Sequence, residues 1–337
     1  MAATLKDVAT LAGVSVKTVS NVVNGHSFVK PENRRRVEQA LAATGYRPNL
    51  GARNLRRGRT GSVALVVPEL RIPYFGELAG QVITAAREHD WNVLIEQTQG
   101  TREGERAALA ALGPHLVDGA LVSPEALTAA DFGEPAVPVV LLGEHSVRAD
   151  LDRVGIDNVE AARAAVAHLV AVGRTRIAAI GAHPTRGTAA QRLTGYREAL
   201  AAAGLPARDE LVARVRNYHR GDGARAMAAL LALPRPPDAV FCFNDLLATG
   251  ALRAAAERGA RVPQDVAVVG FDNTEESAYS LPSLTTVAPD KAAIAREAVD
   301  LLHRRAAGEA GGPREVGVPF ALRVRESSGD GRPAHAR

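Results

Sequence analysis

Apolar and polar positions near the N-terminus alternate in two short runs with helical spacing. Over residues 4–24 the first run places Leu5, Val8, Ala9 and Ala12 on one face. Thr4 stands before it with Asp7 three positions on, the spacing at which a hydroxyl and a carboxylate satisfy free N–H groups at a helix start. Gly13 permits a turn, and Ser15 can cap a second helix. In that helix Val19, Val22 and Val23 face inward, while Lys17, Ser20, Asn21 and Asn24 face outward. Val16 is ambiguous: its spacing to Val19 suits burial, yet it falls in the exposed first turn. A third helix begins at Pro31 and ends at Gly45, with Val37, Ala40, Leu41 and Thr44 covering the first two.

From Ser62 onward the pattern changes to short apolar runs separated by amphipathic, alanine-rich segments. This is the signature of a parallel sheet covered by helices on both faces. Predicted strands cover 63–67, 92–96, 119–122 and 139–142, and then 176–180, 211–215, 239–243 and 266–270. So many residues exceed one ordinary open sheet, so the expected fold class is an all-α helix-turn-helix head followed by two doubly wound α/β subdomains.

Helix-turn-helix geometry alone does not establish contact with nucleic acid. Charge changes the picture. Residues 1–60 hold 11 Lys and Arg against 3 Asp and Glu, a net +8, whereas the whole chain holds 41 against 37. A basic head on a mildly acidic body suits phosphate contact by the head. Its second helix would then lie in a major groove, with Val16 available to a thymine methyl and polar side chains to base edges. Residues 46–60, YRPNLGARNLRRGRT, read in isolation as a solvated linker. They also allow a short helix from Pro48 and Asn49, with Ala52 and Leu55 on one face. Paired with a second copy in the minor groove, it would wedge Leu55 between base steps, with Arg53, Arg56, Arg57 and Arg59 on phosphates.

The run TLKDVATLAGVSVKTVSNVVNG, then YRPN, ARNL and Thr60, closely resembles the lactose-repressor and galactose-repressor (LacI/GalR) family of bacterial transcription factors. The resemblance implies that Val16, Lys17 and Asn21 read bases and that Leu55 is the minor-groove wedge. It implies a DNA-contacting set of Thr4, Ser15, Val16, Lys17, Thr18, Ser20, Asn21, Asn24, Asn49, Ala52, Arg53, Leu55 and Arg56. Two departures stand out. The family often has Arg where this chain has Asn21, and Gly51 should weaken a hinge helix by about 0.5–1 kcal/mol relative to Ala. The resemblance continues through VGIDNVEAARAAVAHLVAVGRTRIAAIG, QRLTGYREAL, FCFNDLLATGALRA and VAVVGFDNTEESAYSLPSLTTV, and implies a core related to periplasmic sugar-binding proteins. The implied organisation is a head over 1–47, a hinge helix and linker over 48–61, and a core over 62–327. Within the core, one subdomain takes 62–157 and 289–317 and the other 158–288 and 318–327, leaving 328–337 as a disordered tail.

A ligand in such a core sits beyond the carboxyl ends of the strands, between the sheets. Polar residues just after predicted strands include Ser123, Asp157, Asn217, Asn244, Asp245 and Asp272, and Tyr74, Phe75 and Tyr218 add flat surfaces. Carboxylates, amides and aromatic faces suit a sugar or a nucleoside-like molecule. Plainer roles are open for several of them. Asn244 and Asp245 can cap the next helix, Asp272 and Asn273 can form a turn, Arg192 can be a solvated charge, and Phe75 can be core. The resemblance favours Arg192 and Asp245 as effector contacts, then Phe75, Tyr218 and Asp272.

No catalytic pattern competes. The 9 His are dispersed, the single Cys242 lies in an apolar strand, and there is no Walker loop, no Gly-x-Gly-x-x-Gly after a strand and no Gly-x-Ser-x-Gly. Neither a metal nor another cofactor is expected. One cysteine and the lack of an apolar leader point to the cytoplasm, and no stretch reads as a membrane span. The tail ESSGDGRPAHAR carries no heptads, so the expected assembly is a homodimer on a palindromic operator. The function that follows is a transcriptional regulator, most simply a repressor, controlled by a small sugar-like effector. Alternatives are a solute receptor with an idle head, and an enzyme using Asp157, Asp245 and Asp272.

Overall fold

The computed structural model describes residues 3–23, 26–46, 59–143, 150–183 and 187–329, and the chain divides into two compact units, 1–60 and 61–337. Among its described residues the first unit holds three helices, α1 (Leu5–Ala12), α2 (Val16–Val23) and α3 (Pro31–Thr44). Thr4 and Asp7 form the reciprocal cap anticipated from their spacing. Gly13 takes a left-handed φ of 61°, which ends α1 and turns the chain. The Ser15 hydroxyl accepts the Thr18 N–H at 3.1 Å and so opens α2. Val8, Ala9 and Ala12 meet Val19, Val22, Val29, Val37 and Ala40 in one small buried cluster.

The second unit contains two six-stranded sheets. The first is built from β1 (Ser62–Val67), β2 (Asn92–Gln97), β3 (Ala120–Val122), β4 (Val139–Leu142) and β5 (Asp152–Gly155), joined late in the chain by β11 (Glu315–Gly317). Its strand order is β11-β5-β4-β3-β1-β2, parallel throughout. The second comprises β6 (Ile177–Ala182), β7 (Val212–Arg214), β8 (Ala239–Cys242), β9 (Ala267–Phe271), β10 (Thr285–Pro289) and β12 (Phe320–Arg323). Its order is β12-β10-β9-β8-β6-β7, with β12 alone antiparallel to its neighbour. The chain therefore passes between the sheets after β5, after β10 and after β11.

Helices α4 (Pro73–Arg87), α5 (Arg102–Ala111) and α11 (Lys291–Ala306) pack on the first sheet. On the second lie α6 (Asn158–Ala171), α7 (Gly187–Ala202), α8 (Arg220–Leu231) and α9 (Asp245–Glu257), and the short α10 (Glu275–Tyr279) follows β9. Each sheet with its helices is called a lobe below. Buried side chains position the loops of the first lobe. Glu105, in α5, accepts the N–H groups of Glu125 (2.7 Å), Ala126 (3.1 Å) and Leu127 (2.9 Å), which sets the loop after β3. Arg305 grips Asp152 through two hydrogen bonds of 2.6 and 2.9 Å, tying α11 to β5.

The tail departs from expectation. Glu326–Ser328 forms a 3₁₀ turn in which Ser327 and Ser328 are buried. The Ser327 hydroxyl donates to the Val268 carbonyl at 2.6 Å and accepts the Thr285 N–H at 2.8 Å, and Ser328 meets His168 and Thr285 at 2.8 and 2.7 Å. Small hydroxyl side chains complete backbone bonds around β9 and β10, a role that leaves no apolar period to detect. The disorder expected over 328–337 thus fails at Ser328, while 330–337 lie outside the described residues.

Candidate ligand cleft and DNA-reading surface

In the head, Thr4 and Ser15 act as helix caps, and Thr18 meets the Ser15 hydroxyl at 2.9 Å. Val16 is 41% exposed, which resolves its ambiguity toward solvent. Lys17 is exposed, and Ser20 and Asn21 are half-buried on the same helix. The expected contacts Asn24, Asn49, Ala52, Arg53, Leu55 and Arg56, and the expected hinge helix, fall outside the described residues. Sequence reasoning passed over Phe28, which is exposed and stacks on His26 at 5.2 Å between ring centroids.

Between the two sheets of the second unit lies a cleft lined by residues of both lobes. The sequence anticipated Tyr74, Phe75, Ser123, Arg192, Tyr218, Asn244 and Asp272, and all seven line it. Tyr74 and Phe75 open α4 from the first lobe, with Ser123 just after β3; Arg192 comes from α7, and Asn244 and Asp272 follow β8 and β9. Residues that the sequence did not single out complete the wall, among them Ile72, Leu78, Glu125, Phe271 and Ile294. Phe271 ends a strand and Ile294 lies in a helix, so nothing local distinguished them from interior packing.

Arg192 is buried, not a solvated charge. Its Nε donates to Asn158 Oδ1 at 2.6 Å, its Nη1 donates to the Phe243 carbonyl, and its guanidinium carbon lies 3.5 Å from the Phe271 ring centroid. Three partners hold the fork flat against an aromatic face, where it is prevented from collapsing into solvent. Tyr218 donates its hydroxyl to the Gly181 carbonyl at 2.6 Å. The Asn244 Oδ1 accepts the Leu247 N–H at 2.8 Å as the cap of α9, and the residue also lines the cleft.

Three expected contacts are corrected. Asn217 is exposed and does not line the cleft. Asp157 caps α6, accepting the Glu160 N–H at 2.9 Å, and does not line the cleft. Asp245 also lies outside its lining, fully buried: Oδ2 accepts from the Thr274 N–H and hydroxyl at 2.8 and 3.2 Å, and Oδ1 from the Thr286 hydroxyl at 2.6 Å. It ties β10 to the segment after β9. A strand-end carboxylate at a helix start looks the same in sequence whether it points into a cleft or beneath it.

Burial raises the pKa of Asp272, and Arg192 offsets that only partly while Asp245 adds to it. Burial likewise raises Asp245, against the pull of its hydroxyl and N–H donors. The Cys242 thiol is also driven up by burial and is an inert core group. Among the described residues no cluster of His, Cys, Asp and Glu is arranged to hold a metal, and no helix is long and apolar enough to cross a membrane. The cleft thus offers one buried carboxylate, one clamped guanidinium, an amide and several aromatic faces.

Residues 4–49 match the model of bacterial regulatory proteins of the lacI family, and residues 166–328 match that of a periplasmic binding protein-like domain. The chain is 34% identical over 304 residues to the HTH-type transcriptional repressor CytR of Escherichia coli (strain K12), covering 89% of each chain. It is similar to the structure described as transcriptional regulator CelR-cellobiose complex, with TM-score 0.74, 34% identity and coverage of 96% of this chain and 99% of that one. A lac repressor dimer bound to operator and the anti-inducer ONPF gives TM-score 0.85 at 27% identity, over 97% and 99% of the two chains. Its relatives are transcriptional repressors, not enzymes. The helix-turn-helix head, the two parallel-sheet lobes and these likenesses agree: the chain belongs to the LacI family of bacterial transcriptional regulators.

Proposed function

We propose that this protein is a cytoplasmic repressor that binds a palindromic operator as a homodimer and is controlled by a small polyhydroxylated effector, a sugar or sugar derivative, in the cleft between its lobes. The observation that carries this is the joint lining of one cleft by Tyr74, Phe75 and Ser123 from the first lobe and Arg192, Tyr218, Asn244 and Asp272 from the second. A ligand held by both lobes binds one relative angle better than another, and only such differential binding can shift a conformational equilibrium. Flat aromatic faces beside a carboxylate, an amide and a guanidinium fit a ring bearing hydroxyl groups. The cellobiose in the CelR complex supports the sugar class.

In the head, Val16, Lys17 and Asn21 read bases from the exposed side of α2, and Leu55 serves as the minor-groove wedge. The assembly is a symmetric pair, because one head of this size reads only a half-site. Support for a second copy comes from apolar side chains left in solvent: Tyr279 is 82% and Leu281 93% exposed, and Leu94 and Ile95 are exposed on the edge strand β2. The deciding measurement is the mobility shift of a palindromic fragment from the promoter beside its own gene, run with the full chain at low salt. Retardation that pooled sugars alter is the expected result. No retardation would remove the repressor function.

A further inference from the structure

Lys291 is the first residue of α11, and Glu77 lies in α4, both helices of the first lobe. Their partners belong to the second. Lys291 Nζ donates to the backbone carbonyls of Asp272 at 2.6 Å and Asn273 at 2.9 Å. It also pairs with Glu77 Oε2 at 2.8 Å, while Glu77 Oε1 accepts the Glu275 N–H at 2.8 Å. Two side chains of one lobe therefore hold residues 272–275 of the other.

That segment has a demanding backbone. Asp272 has φ 117° and Asn273 φ 46°, a region that residues with a Cβ seldom occupy and that persists where surrounding contacts enforce it. Asp272 is also the carboxylate that faces the cleft. An exposed ion pair would contribute little. Lys291 differs, since its side chain is only 13% exposed and one ammonium serves three oxygen acceptors. The lobes meet again elsewhere, where His219 at the start of α8 lies 3.1 Å from Glu69 and from Arg71, which follow β1.

We infer that Lys291 and Glu77 are positioning residues for Asp272, and that they latch the second lobe to the first through the segment that an effector must engage. A ligand group that bonds Asp272 then pulls on the same stretch of chain that fixes the lobe angle. The coupling rests on the cleft being the effector site, but the latch itself is testable without a ligand.

The test is amide hydrogen exchange of the ligand-free full chain, comparing wild type with Lys291→Met and with Glu77→Met. The expected result is faster exchange at two separated segments, 273–277 beside the latch and 218–223 at the other lobe contact, with 102–111 unchanged. About tenfold is expected at each, the exchange equivalent of a coupling of about 1.4 kcal/mol. A purely local contact would speed 273–277 alone. Any result in which either segment keeps its wild-type rate overturns the latch. Glu77→Met keeps the side-chain length but removes both acceptor oxygens, so it decides the matter on the same readout if Lys291→Met does not fold. A chain that failed to bind operator would still give the expected exchange pattern, so the two failures are separable.

Discussion

At the scale of single residues, the same side-chain type does opposite work according to where it points. Asp245 and Asp272 both follow strands of one sheet, and both have raised pKa values through burial. Asp245 spends its oxygens on Thr274 and Thr286, whereas Asp272 faces the cleft. A raised carboxyl keeps its proton in the folded chain at pH values where the unfolded chain has released it. Its contribution to stability is therefore fully present below the ordinary aspartate range and is lost as pH rises through about 8. Melting temperatures measured from about pH 5 to about pH 9 should fall with pH, and Asp272→Asn should flatten that slope. Some slope remains because Asp245 titrates in the same direction. An unchanged profile would show that Asp272 is ionised and solvated in the free protein.

Capping residues and helical periodicity made α1, α2 and α3 legible almost to the residue, because their determinants lie within a few positions of one another. The eight anticipated strands also appear, with no end shifted by more than two residues. Four strands were missed. β5 (DRVG), β10 (TTVAP), β11 (EVG) and β12 (FALR) are short and lack a strong apolar run, and they exist because a neighbouring strand supplies hydrogen bonds. Glycines in α8 and α9 carry a tertiary constraint that composition hides. A Cβ on Gly250 would meet the Arg220 carbonyl, and one on Gly223 the Leu247 carbonyl, so both sit where the two helices touch backbone to backbone. Gly250→Ala should raise helix propensity and yet destabilise the core by about 1–3 kcal/mol, the usual cost of overpacking. Urea unfolding measures this, and a stabilised variant would mean that the helices can separate freely.

At the scale of the whole molecule, the proposed function rests on the two lobes of the core and on a second copy that would extend the reach of the head. Leu281 and Tyr279 belong to the same short stretch after β9 that the latch holds, which puts the candidate dimer surface and the cleft at two ends of one segment. Leu281→Glu should yield a monomer by light scattering after size exclusion. It should also weaken operator binding by about 100-fold or more, since two linked half-sites lose their avidity. A variant that remains dimeric would move the interface elsewhere, to Leu94 and Ile95 on β2.

The sequence by itself determined what is local or periodic: the capped helices of the head, its concentration of positive charge, the alternation of strands and helices, and seven of the ten anticipated cleft residues. Only the tertiary structure decided direction and partnership. It turned Asp157 and Asp245 away from the cleft, folded Ser327 and Ser328 against β9 and β10, and brought Lys291 onto the carbonyls of Asp272 and Asn273. The physical reason is that propensity and capping act over a few residues, while burial, charge pairing and side-chain aim depend on neighbours that can be two hundred positions away in the chain.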